Sequence, residues 1–138
     1  RVSTVSVDES SFLIVNSTPE TEAAYLRNLF ALVVAQFAGT KEYWNPPSIA
    51  GFAALVPRYE NAIENIYHLT VPENLVAVHR EELRLLGLQK NALAALVNYE
   101  QDPFMASVGG QLFFDSNTAL STLAEVVARF IKDNDIVL

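Results

Sequence analysis

"VPENLVAVHREELRLLGLQKNALAALVNYEQDP", residues 71–103, is the stretch on which the fold turns. A proline stands near each end of it, and each sits where a helix can begin. Val71 precedes Pro72, and a residue before proline is pushed toward extended backbone, so one element ends here and a helix starts after it. At the far end Asp102 can cap the next helix and Pro103 can open it, because a first turn has no use for the missing N–H. Between them the pattern predicts a helix from about Glu73 to Tyr99. Wound at about 100° per residue, it gathers Leu75, Leu86, Leu93 and Val97 within about 40° of one another, with His79 inside that wedge. Arg80, Arg84, Asn91 and Asn98 fall on the opposite side. The helix packs by one face, and His79 points inward.

Downstream of Pro103 a last helix runs to about Lys132, with Met105, Val108, Leu112, Ala119, Leu123, Val126 and Phe130 as its apolar positions. Gly109–Gly110 within it marks a bend or a close backbone approach. Upstream, Ile49, Phe52, Val56, Tyr59, Ile63 and Ile66 form an amphipathic seam. Pro57 lies inside that seam and removes a backbone donor, which predicts a kink or a break there. A first helix starts at "NSTPETEA": Ser17 or Thr18 supplies the cap, Pro19 the first turn, and Glu20 and Glu22 the charge that complements a helix N-terminus. Gly39 closes it, and "KEYWNPP", residues 41–47, is a connection. Long helices joined by short Pro-bearing links predict an all-α fold, an antiparallel up-down four-helix bundle, or five helices if Pro57 breaks the second. Residues 1–17 form an extended N-terminal arm and residues 18–138 the bundle domain.

Composition narrows the function. The 138 residues suffice for one core, and 51% hydrophobic content excludes disorder. Nine Lys and Arg against sixteen Asp and Glu give a net charge of −7, which argues against nucleic acid or an anionic membrane surface as partner. Cysteine is absent, so no disulfide, thiolate metal site or cysteine nucleophile can exist. The longest apolar stretch, residues 23–38, is interrupted by Arg27, Asn28 and Gln36 and is too short for a membrane span. The sequence opens "RVSTVSVDESS" without a methionine, which leaves room for an upstream leader or anchor.

Chemistry-bearing patterns are scarce. His79 reads as a metal ligand, a general base or a hydrogen-bonded core residue. Carboxylate di-metal bundles use Glu-x-x-His, whereas here the order is His79-x-x-Glu82. The core reading therefore prevails, with Glu82, Ser107, Gln111 or Asn28 as partners for the imidazole. His68 lies at a helix end near Glu64. Met105 as a haem ligand and Asp133–Asn134–Asp135 as a calcium site both yield to packing and a solvated tail. No phosphate loop, nucleophile elbow or Ser-x-x-Lys is present, and "NST" at 16–18 is a short glycosylation match. No catalytic residue, cofactor or metal is expected.

One helix stands out. Leu29 to Ala35 carries no polar residue over nearly two turns, and a helix apolar all round is buried on all sides, by the arm and a fifth element or by another molecule. The arm's own apolar residues, Phe12 to Val15, predict that it packs on a neighbouring subunit or over this helix, with Ile136–Leu138 as a matching β-prone run. Phe12, Ile14, Val33, Phe37 and Trp44 form the candidate interaction surface; Trp44 with Tyr43 is a lid on the bundle's end or a contact patch.

Tyr59, Val71–Pro72, His79 and Asp102–Pro103, within residues 55–106, resemble a family of secreted helical proteins of unknown function from small-genome, candidate-phylum bacteria. The resemblance implies a place outside the cytoplasm and brings no activity, cofactor or site residue. The expectation is a non-enzymatic extracytoplasmic structural or protein-interaction module, partnered by another protein or by itself in a surface assembly. The alternative is a small-ligand or metal-binding helical bundle.

Overall fold

The computed structural model describes residues 4–138. Those residues are mostly helical: α1 (Pro19–Phe37), a short α2 (Lys41–Trp44), α3 (Ile49–Tyr67), α4 (Val76–Val97) and α5 (Pro103–Asp133). Two short strands, β1 (Leu13–Val15) and β2 (Thr70–Pro72), pair in parallel with Ile14 opposite Val71.

The helix starts follow the expected chemistry. Thr18 caps α1 in a reciprocal box with Thr21, whose hydroxyl accepts from the Thr18 N–H at 2.8 Å. Asp102 caps α5, its carboxylate accepting from the Met105 N–H at 3.1 Å. Gly39, at φ 70°, turns the chain after α1. Residues 73–75 form a 3-10 turn rather than the first turn of α4. Tyr43 and Trp44, expected in a loop, lie on α2, and Trp44 packs against Phe113 with ring centroids 5.2 Å apart.

Pro57 does not break α3. Pro57 and Ala53, whose carbonyl loses its helical donor, both face solvent, so the freed oxygen lies on the side where water can reach it. The next residue ties the helix down instead: Arg58 donates to the carbonyls of Gln36 and Ala38 at the end of α1.

α4 is the central element. It packs against α3 on one side and α5 on the other, while α1 packs against α3. Gly109 of α5 lies close against α4, where an added Cβ would come 2.9 Å from the Ala92 carbonyl oxygen. The α5 seam read in the sequence holds at Leu123 in the core and at Leu112, Ala119 and Phe130 packed against it. Ala106, Gly109, Ser116, Leu123 and Val127 are buried, and the expected Val108 and Val126 are exposed.

The arm overturns two expectations. It lies on its own chain, and over α3 and α4 rather than over α1. Val5 sits against Gly87, where a Cβ would come within 2.8 Å of its methyl carbon. The Asp8 N–H donates to the Tyr67 hydroxyl, and Asn91 donates to the Thr4 carbonyl. Glu9 meets Arg80 at 3.0 Å. The strand partner of Leu13–Val15 is residues 70–72, not the carboxyl-terminal run Ile136–Leu138.

Candidate functional site

The inner face of α4 presents His79, Glu82, Leu86 and Gln89 in succession, spaced so that they share one side of the helix. Tyrosines from two other helices meet this row. Tyr25 of α1 brings its hydroxyl to within 2.9 Å of His79 Nδ1, and Tyr59 of α3 donates to Gln89 Oε1 at 2.9 Å. The imidazole's partner is thus Tyr25, and none of Glu82, Ser107, Gln111 or Asn28.

His79 is fully buried, and burial holds its pKa down to about 4, so the ring is neutral at physiological pH. Nδ1 and the Tyr25 hydroxyl share one hydrogen bond, whose direction follows the ring's tautomer, and Nε2 has no hydrogen-bond partner among the described residues. The Phe12 ring packs nearly perpendicular to the imidazole with centroids 4.6 Å apart, so the arm closes this side of the ring. Such an enclosed, neutral histidine fits the core reading.

Glu82 differs. Burial pushes its carboxyl up to about 7, and it has no hydrogen-bond or ion-pair partner among the described residues. Its charge lies close enough to Tyr25 to add to the effect of burial in raising that phenol's pKa. By contrast, Glu81 one residue earlier is held below its usual value by the hydrogen bond from Arg84.

Glu82 lines a groove of about 660 Å³ that opens between α1 and α5 and reaches down to α4. Its walls are apolar: Leu29, Val33 and Phe37 from α1 face Leu123, Val127 and Ile131 from α5. Glu82 is the only charged residue lining it, and the other polar pair, Tyr59 and Gln89, is closed on itself. The sequence points to Glu82 as a partner for His79 or, beside it, as a position in a small-ligand or metal site, but not as the charged group of a groove. A signal for the groove was nonetheless present, because Leu120, Leu123, Ala124, Val127, Ala128 and Ile131 make an apolar stripe wider than one neighbouring helix can cover.

The residues expected at an interaction surface scatter. Phe12 is buried in the core beside His79, so it is not part of a surface. Ile14 is exposed on β1. Val33 and Phe37 are half-buried walls of the groove, Phe37 also packing on Tyr59. Trp44 lies half-buried on α2, against α5. The fully apolar run of α1 is not buried on all sides: Leu29 is buried, while Phe30 and Val34 stand 40% and 69% exposed at the groove's rim.

No group of three or more metal-ligating side chains forms among the described residues, and no helix there is long and apolar enough to cross a membrane. Compared with protein-family models, curated proteins and solved structures, the chain finds no match.

Proposed function

We propose that the protein is a non-enzymatic, extracytoplasmic structural or protein-interaction module whose working surface is the open seam between α1 and α5. The framework of this reading is an antiparallel up-down four-helix bundle closed on three seams. Tyr25 beside His79 at one end, and Phe37, Tyr59 and Gln89 together at the other, support helices that alternate in direction. The seam between first and last helices is left as a groove. Phe30 and Val34 on one rim and Ala124 and Ala128 on the other form an apolar strip that water must cover unless a protein partner, or a second copy, does so.

The open seam carries the proposal. Glu82 is the one charged side chain lining the groove, and no nucleophile or second ionised group lines it to support a catalytic reading. The extracytoplasmic placement rests on the resemblance of residues 55–106. The test is particle mass in solution for the wild type and for Val34→Glu. The wild type should exceed the 15.2 kDa of this chain, and the variant should fall to it with unchanged melting. A monomeric wild type that no protein partner enlarges would overturn the reading.

A second reading, small-ligand binding, is favoured by one observation: a lone carboxyl on the floor of an apolar groove. Ligand sites typically occupy about 300–1,000 Å³ with few polar groups, and this groove fits that range.

A further inference from the structure

The groove's floor and walls restrict what could enter it. Tyr59, Leu86, Gln89 and Leu123 line it, yet each is less than a tenth exposed, so the cleft narrows sharply toward α4. A floor so little exposed suits a slim methylene chain better than a helix about 10–12 Å across. The walls offer such a chain only carbon, and Gln89 and the Tyr59 hydroxyl are occupied with each other. Glu82 is left as the one group able to select a head.

The sign of the head follows from charge. A carboxylate removed from water and lacking a partner is costly, and a cation that joins it offsets that cost. An anionic head would meet Glu82 and a protein of net charge −7, both repulsive. Resting on the ligand-binding reading above, we propose that the α1–α5 seam binds a single-chain cationic amphiphile, its amine on the Glu82 carboxylate and its chain between Val33 and Val127.

The titratable groups around the carboxyl are Tyr25 of α1, His79 behind it on α4, and Tyr59 of α3; α5 lines the groove with apolar residues alone. Burial raises both phenols and keeps His79 neutral down to about 4. Between about pH 5.5 and 8 Glu82 is therefore the group among them that changes charge, and amine affinity should fall as pH falls through about 7.

Calorimetric titration with decylamine, decanol and decanoate, each kept below its micelle concentration, tests the assignment. At pH 8 decylamine should bind most tightly, and Glu82→Gln should weaken it by about tenfold or more while leaving decanol within about twofold. Ala124→Phe, which adds bulk at an exposed wall position, should weaken every chain without lowering the melting temperature. If decanol or decanoate matches decylamine, the seam still takes an apolar chain but the head-group assignment is overturned. If none of the three binds, the ligand-binding reading itself falls.

Discussion

α1 and α4 invert what their compositions suggest. α1 carries an uninterrupted apolar run from Leu29 to Ala35, yet one side of it, Phe30, Ala31, Val34 and Ala35, faces solvent. α4 carries His79, two arginines and two glutamates in its first half, yet from Leu85 to Gln89 every residue is buried. The difference lies in neighbours. α4 has α3 on one flank, α5 on another and the arm on a third, with Val5 seated on Gly87. α1 packs mainly on α3 and β2, and its remaining side looks across a groove. Burial here is set by position in the packing rather than by how apolar a helix is.

The sharpest way to break this contrast is to remove one phenylalanine from each region. Phe12→Ala strips the arm's buried anchor from α4 and should destabilise by about 3 kcal/mol, as large aromatic deletions in cores do. Phe30→Ala on the rim should change stability by less than about 0.5 kcal/mol. Urea unfolding of both variants gives the comparison, and equal losses would mean that the two regions are equally packed.

His79→Ala probes the covered face of α4 from inside. It leaves a hole and strands the Tyr25 hydroxyl, for an expected loss of about 1–3 kcal/mol. Unchanged melting, with loss of a bound ion instead, would make the histidine a ligand rather than a core residue.

A third test uses pH, because the two faces titrate in opposite senses. His79 has its folded pKa lowered to about 4 from 6.5, so the stability tied to its neutral form is present above 6.5 and is lost as pH falls. Glu82 has its folded pKa raised to about 7 from 4.5, so the stability tied to its protonated form is present below 4.5 and is lost as pH rises. Between about pH 4.5 and 6.5 the two slopes cancel. Glu82→Gln should leave the histidine slope exposed, with stability rising by up to about 1.4 kcal/mol per pH unit across that window. Urea midpoints at three pH values would reveal it; a variant that tracks the wild type would remove Glu82 from the balance.

The smallest effect concerns a helix end outside both regions. Asp102→Ala should cost about 0.5–2 kcal/mol through the lost bond to the Met105 N–H, with particle mass unchanged. Hydrogen exchange in the first turn of α5 locates the loss, and no change there would mean that the cap contributes nothing.

What the sequence made legible was local. Thr18 and Asp102 announce their helices because a cap acts within three residues, and His79 points inward because helical winding fixes its direction. Its partner was not legible, because Tyr25 stands 54 residues away on another helix. Along α5 Leu112, Leu123 and Phe130 pack inward as their spacing predicts, while Val108 and Val126 do not, and Gly109 and Ser116 mark the contact face by being small. The seam around Pro57 does not disclose that Pro57 and Ala53 face solvent, which is what lets the helix continue. The wide apolar stripe of α5 signals an uncovered face, but placing the groove needed the relative position of α1 and α5, which no window of sequence contains.

The parallel pairing of β1 with β2 sets an order of events. Leu13 is synthesised long before Thr70, and Ser17 likewise before Asn74, whose N–H it accepts 57 residues later. α1, α2 and α3 lie between the two strands. A contact that spans so much chain is slow to close, while helices form from neighbours within a few residues. The arm therefore settles only once α3 has turned back to deliver residues 70–72. Until then Phe12 is uncovered, His79 lacks its lid, and the nascent protein presents a second apolar face that the finished one does not.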